Sequence, residues 1–376
     1  MIVGHNFQKP LICAYYFPNW HPDLRNDKWH GAGWTEWEVL KCARPRFPGH
    51  QQPKVPLWGY EDESDPSVMA KKIDAAAGRG VDGFIFDWYW FGDGPYRTKC
   101  LEQGFLKAHN CADLQFAIMW ANHDPIYVHP GSRMYPMPKL LDGAILPETF
   151  VKATNHCIET YFKQPNYLRL DGGLYFSFFD FAKLVNSLGG EAAAGEVFRD
   201  FRSRVARAGL GEVNLNACVT IESKDETYKL MKRLGVNSCG SYGWTWDQSS
   251  FPVCDYDRTA KENAAAYDIL TARCNKMPYY VNVIMGWDVS PRSVQSEIYE
   301  NAGYPFMNVI ISTPAQYEQA LRAARDFVLS GKATGRMVTL NAWNEWTEGS
   351  YLEPDTINGM AYLEAVKKVF KEGKRE

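Results

Sequence analysis

Two glutamates, Glu345 and Glu348, stand three residues apart in the stretch Met337-Val-Thr-Leu-Asn-Ala-Trp343-Asn344-Glu345-Trp346-Thr347-Glu348-Gly349-Ser-Tyr351-Leu-Glu353-Pro354. Paired carboxyl groups are the equipment of glycosidic-bond cleavage, in which one group protonates the leaving oxygen and the other acts as base or nucleophile. In an extended segment, residues three apart span about 10 Å, whereas in a turn their Cβ atoms approach to about 5–6 Å. Retaining glycosidases hold their carboxyl groups about 5–5.5 Å apart and inverting ones about 6.5–9.5 Å apart, so the spacing fits either outcome. Gly349 permits the turn. A local cap or salt bridge is the alternative role for Glu348.

The same vocabulary recurs after other apolar runs: Asp87-Trp88-Tyr89-Trp90, Trp120-Ala-Asn122-His123-Asp124, Asp180, Glu222, Trp244-Thr-Trp246-Asp247 and Trp287-Asp288. Repetition at one end of successive strands predicts an aromatic-walled, acid-rich cleft. Core packing competes with sugar stacking for each tryptophan, and helix capping competes with substrate contact for each aspartate. His123, Asp124 and His129 lack a specific metal-ligand spacing, and no metal site is expected. The chain has no G-x-S-x-G elbow, which disfavours an esterase of the α/β-hydrolase type. The triplet Asp255-Tyr-Asp257 resembles the metal-binding triplet of sugar-nucleotide transferases, but matches of that length are common by chance.

The elements that must position these residues are eight strand-like runs: Leu11–Phe17, Gly83–Trp88, Leu114–Trp120, Gly173–Asp180, Asn214–Ile221, a weaker one at Asn237–Trp244, Tyr279–Asp288, and the run opening at Met337. Between them lie helical patterns. Asp65-Pro66 starts one that ends near Gly78–Gly80. Val197, Phe198, Phe201, Val205 and Ala208 mark a second. Ser312-Thr313-Pro314 starts a third that ends before Gly331, and Met360, Leu363, Val366 and Phe370 mark a last one. Near-continuous apolar strands alternating with helices indicate a parallel sheet covered on its outer face. Eight such units predict an α/β fold, a (β/α)8 TIM barrel with long βα loops at residues 18–64, 121–149 and 244–258, forming a single domain over 1–376. No G-x-G-x-x-G turn or Walker A sequence supports a nucleotide-binding sheet.

Composition sets wider bounds. A net charge of -3 over 376 residues argues against broad electrostatic binding of nucleic acid or anionic membrane. No apolar run reaches the roughly 18 residues of a membrane span. Nine scattered cysteines without a C-x-x-C pair fit reduced thiols better than zinc or disulfides and lean towards a cytoplasmic location. The opening Met-Ile-Val-Gly-His-Asn has no signal-peptide character, and export with a signal already removed is the alternative. Aromatic residues form 14% of the chain, with 13 Trp and 21 Tyr, which suits recognition of sugar rings by their apolar faces.

Five stretches together resemble the WbsX-type proteins, whose domain is related to glycoside hydrolase family 99: Ala14-Tyr-Tyr-Phe-Pro18, Gly33-Trp-Thr-Glu36-Trp37, Phe47-Pro-Gly-His50-Gln-Gln-Pro53, Gly83-Phe-Ile-Phe-Asp-Trp-Tyr-Trp90-Phe, and Asn341 to Pro354. The resemblance implies the (β/α)8 barrel and a retaining endo-acting α-mannosidase or mannanase chemistry. In that chemistry no enzyme nucleophile is used. A glutamate deprotonates the sugar's own 2-hydroxyl to give a 1,2-anhydro sugar, and a second glutamate protonates the leaving oxygen. Glu345 matches the base and Glu348 the acid, and no cofactor is required. Thr347 stands where family 99 has histidine, a departure that bears on substrate identity.

The expected substrate is an oligosaccharide or polysaccharide, with Tyr15, Trp20, Glu36, Asp87, Trp88, Trp120, Asp124, Trp244, Trp287, Trp343 and Asn344 as contacts. WbsX-type proteins are also called glycosyltransferases of surface polysaccharide assembly, which makes transfer the second expectation. A catalytically silent glycan-binding module is the third.

Overall fold

The computed structural model describes residues 9–372; the N-terminal hexapeptide read above for a signal lies outside them. Eight parallel strands close into a barrel: β1 (Leu11–Tyr16), β2 (Gly83–Phe91), β3 (Gln115–Trp120), β4 (Gly173–Phe178), β5 (Glu212–Cys218), β6 (Ser238–Gly240), β7 (Tyr279–Ile284) and β8 (Met337–Asn341). Each pairs with its sequence neighbour, and β1 pairs with both β2 and β8, so no edge is left open. Every strand run expected from the sequence is a barrel strand, including the weak sixth.

The helices of the described residues are α1 (Leu24–His30) and α2 (Trp37–Cys42), which lie at the cleft end of the barrel, and α3 (Pro66–Gly78), α4 (Pro147–His156), α5 (Phe181–Ser187), α6 (Glu191–Arg207), α7 (Asp225–Arg233), α8 (Tyr256–Arg273), α9 (Pro314–Leu329) and α10 (Ala361–Phe370). Their starts follow local chemistry. Asp65 caps α3 by accepting from the Ser67 N–H, with Pro66 in the first turn. Thr313 and Gln316 form a reciprocal capping box on α9. The segment 18–64, read as one long loop, carries α1 and α2. Their short length gave too few turns for a periodic signal.

β2 runs past its expected end at Trp88 and pairs with Gly94–Tyr96 in an antiparallel hairpin. The strands are buried almost throughout. Part of the interior is polar. Ser177 donates to Asn216 (2.8 Å), Asn216 to Ser238 (3.0 Å) and Ser238 to Asn214 (2.9 Å), so these buried groups satisfy one another. No helix among the described residues is long and apolar enough to cross a membrane.

Candidate active site

After β8 the chain forms a small hairpin in which Asn344–Glu345 pairs antiparallel with Ser350–Tyr351, and Trp346–Glu348 makes one 3-10 turn between them. Glu345 and Glu348 thus stand at the two ends of a single tight turn at the C-terminal mouth of the barrel. Gly349 closes the turn at φ 62°, and a Cβ there would lie 2.6 Å from the Asp288 Cβ. Glycine is required both by the left-handed backbone and by the close approach.

The turn is held from three sides. The Asn344 side chain accepts from the Phe17 N–H (2.7 Å) and donates to the Phe17 carbonyl (2.9 Å), tying the turn to the end of β1. Behind it, Lys72 on α3 joins the buried carboxylates of Glu63 and Glu353, and Glu353 accepts from the indoles of Trp343 (2.8 Å) and Trp346 (2.7 Å). On the third side Asp288 accepts from His50 Nε2 (2.7 Å) and Gln52 (2.7 Å), while its own N–H donates to the Glu348 carbonyl (2.5 Å). The Phe47–Pro53 stretch therefore acts on Glu348 through Asp288.

Arg292, in the 3-10 turn Ser290–Arg292 after β7, is the hub. Its Nη1 donates to Glu348 and to the Tyr304 hydroxyl (2.9 Å), its Nη2 to Glu36 (3.0 Å) and Glu345 (3.3 Å), and its Nε to Thr347 (2.9 Å) and Glu36 (3.2 Å). Thr347 also donates to Glu36. His129 Nε2 stands 3.3 Å from Glu36 Oε1, close enough for charge but without the alignment of a hydrogen bond.

These contacts set the proton inventory. Burial pushes Glu345 well above the usual carboxylate range, the neighbouring Glu348 adds to this, and Arg292 opposes it. Glu348 is also raised by burial, with Arg292 pulling against the rise. Burial would raise Glu36 too, but His129 and Arg292 outweigh it and hold the group well below the normal range. The two catalytic candidates titrate as a pair. Arg292 opposes the rise at both carboxyls, and its guanidinium bridges them.

The pair opens into a cleft of about 750 Å³, within the range of small-ligand sites. Of the expected contact residues, Asp87, Asp124, Trp244 and Trp287 line it together with both glutamates. Asp87 accepts from the Tyr242 hydroxyl (3.0 Å) through one oxygen, while the other is buried without a partner. Burial pushes its carboxyl well up. Asp124 is engaged by Lys183 and, at 3.5 Å, by Lys139.

Seven of the expected contact residues do not line this cleft. Trp88 and Trp120 are register partners on β2 and β3, and strand alternation turns Asp87 and Met119 to the cleft and these two tryptophans to the helical layer. There Trp88 donates to Tyr161 (3.2 Å), and Trp120 stacks on Phe150. Trp20 is fully buried against Trp37 at 4.0 Å, and Trp343 is buried against Phe84. Tyr15 lies beneath Tyr242, with ring centroids 4.6 Å apart. Asn344 and Glu36 are buried in the framework of the turn.

The sequence reading missed Arg292, Arg97, Tyr242, Tyr304 and Trp246, all of which line the cleft. Trp246 was visible in the Trp244-Thr-Trp246 ending; the others carry no local motif. Among the described residues, no group of three or more His, Cys, Asp or Glu side chains comes together as a metal site.

A closed barrel with a buried carboxyl pair at its C-terminal mouth holds its candidate site where barrel enzymes build theirs. A family model described as Glycosyltransferase WbsX matches residues 12–366, and the chain belongs to that family. A curated relative, the uncharacterized protein WxcX of Xanthomonas campestris pv. campestris, is 27% identical over 369 residues, covering 95% of this chain and 49% of its own. The chain thus spans about half the length of the curated relatives it matches. Among solved structures, a glycoside hydrolase-like protein superposes with TM-score 0.64 at 14% identity, covering 98% of this chain and 96% of its own. The GH99 endo-alpha-mannosidase from Bacteroides thetaiotaomicron superposes with TM-score 0.57 at 14% identity, covering 96% of each chain. At these identities the likeness is one of fold.

Proposed function

We propose that the protein is a retaining glycoside hydrolase acting on an α-linked glycan, mannose-containing by analogy with the family 99 enzyme, with Glu345 as base and Glu348 as acid. The observation that carries this reading is the placement of both glutamates on one turn, bound to one guanidinium and facing one cleft. Burial raises both carboxyls above the usual carboxylate range, which favours the protonated form that acid catalysis of leaving-group departure needs.

In the proposed sequence, Glu345 removes the proton of the sugar 2-hydroxyl, and O2 bonds to C1 as the glycosidic oxygen leaves with the Glu348 proton. Water then opens the 1,2-anhydro sugar at C1. It gives a proton back to Glu348, and Glu345 returns its proton to O2. Two inversions at C1 leave the configuration retained. Asp87, whose carboxyl burial pushes up, presents its unpartnered oxygen to a sugar hydroxyl. Trp244 and Trp287 offer ring faces for stacking.

The description of the family supports a second reading, glycosyl transfer from an activated sugar on the same barrel. The test is a panel of α-linked mannose oligosaccharides incubated with the wild type, Glu345→Gln and Glu348→Gln. Each variant should lose about 10²–10⁴-fold in turnover while folding normally. Full activity in both variants would remove the assignment. Absence of hydrolysis with strong thermal stabilisation by a nucleotide sugar would favour transfer.

A further inference from the structure

Arg97 is a second buried guanidinium in the cleft wall, and its surroundings differ from those of Arg292. Arg292 serves three carboxylates. Arg97 is only 9% exposed, forms no ion pair among the described residues, and has an Nε buried without a hydrogen-bond partner. Its guanidinium carbon lies over Tyr96 (4.5 Å to the ring centre), Tyr89 (4.8 Å) and Phe17 (5.0 Å), a box of π faces that holds the group flat. Glu36 acts on it through space, and that carboxylate is already bound by Arg292 and Thr347.

The backbone is adapted to this placement. Arg97 follows the β2 hairpin at φ 60°, a left-handed conformation in which an arginine is disfavoured, and its N–H donates to Asp23 Oδ2 (3.2 Å). A side chain kept at such a position is held there by its surroundings. Phe17 is shared: its ring centre is 5.0 Å from the Arg97 guanidinium carbon and 5.8 Å from that of Arg292. Arg97 and Arg292 therefore share the Phe17 ring in the wall of one cleft.

The other ionisable groups of the wall do not duplicate this charge. His30 and His123 are pulled down to about 4 by burial, and His129 faces Glu36 at 3.3 Å. The cation of Lys183 is taken up by Asp124.

We infer that Arg97 is a specificity residue that receives an anionic group carried by the sugar ligand, so that the site takes an anionic sugar ligand in preference to a neutral one. This rests on the glycan-acting reading of the cleft. Two sources of the anion share the chemistry, the carboxylate of a uronate residue and the diphosphate of an activated sugar. Both match the planar donor fork of a guanidinium.

The test is a tryptophan-fluorescence titration of the intact protein with methyl α-mannoside, methyl α-mannuronate and GDP-mannose, using the wild type, Arg97→Gln, Arg97→Lys and Glu348→Gln. The wild type should bind at least one anionic probe about tenfold or more tightly than methyl α-mannoside. Arg97→Gln should bring that ratio below about twofold, with Arg97→Lys between. Preference for the mannuronate assigns the anion to the glycan, and preference for GDP-mannose alone assigns it to a sugar donor. Equal affinity of the wild type for neutral and anionic probes, or an unchanged ratio in Arg97→Gln, would overturn the inference and leave Arg97 as a support for Glu36. The wild-type comparison stands even where a variant fails to fold. Glu348→Gln should keep the anion preference while losing cleavage. A lost preference with Glu348-dependent cleavage intact sinks only this inference, and a retained preference without any cleavage sinks only the hydrolase reading.

Discussion

Arg292 fixes the charge state of the site because three carboxylates converge on its guanidinium. Arg292→Met removes the counter-charge and leaves them buried together, at a cost of roughly 3–5 kcal/mol. It also pushes the glutamate pair further up, so the acid limb of the pH–rate profile should move to higher pH; a limb that stays in place would contradict the assignment. Arg292→Lys should rescue little, since an ammonium cannot reproduce the fork. Glu345→Gln carries a signed pH prediction. The folded carboxyl is raised above its unfolded value of about 4.3, so its contribution to stability is full below that pH and is lost as pH rises through the folded pKa. The variant should therefore melt higher than the wild type at pH 8, and the difference should vanish towards pH 4. Glu345 and Glu348 were legible because the turn that joins them is local. Arg292 was not, because a lone arginine after Ser290-Pro291 carries no pattern and its partners come from distant loops.

The element that decides positioning is the turn after β8 together with the three supports behind it. Lys72→Met would strand Glu63 and Glu353 as buried carboxylates and should cost about 3–5 kcal/mol, read as a lowered chemical-denaturation midpoint. Gly349→Ala adds a left-handed alanine and a clash with Asp288, together about 2–5 kcal/mol. Both changes should depress turnover more than a surface substitution of equal thermal effect, because both displace Glu348. The strands were legible because buried parallel strands read as continuous apolar runs. The same burial concealed orientation: without a polar alternation, nothing told Asp87 and Met119, facing the cleft, from Trp88 and Trp120, facing the helices. The hairpin after β2 was missed for a similar reason, since its aromatic content continues the strand, and Arg97 was missed with it.

At the scale of the whole molecule, the closed barrel gathers residues from β1 to β8 at one end, and the five sequence stretches that carry the family resemblance meet around the turn or its supports. All nine cysteines are free, six of them buried, so a reductant should leave the melting temperature unchanged; a drop would reveal a disulfide. The central claim is that this end of the barrel breaks an α-glycosidic bond using Glu345 and Glu348. Its most direct test is digestion of an α-linked mannan or acidic α-glycan followed in real time by proton NMR of the anomeric region. The expected result is a new reducing end released first in the α configuration and lost in Glu345→Gln and Glu348→Gln. Release first as the β anomer, or cleavage undiminished in both variants, would contradict it.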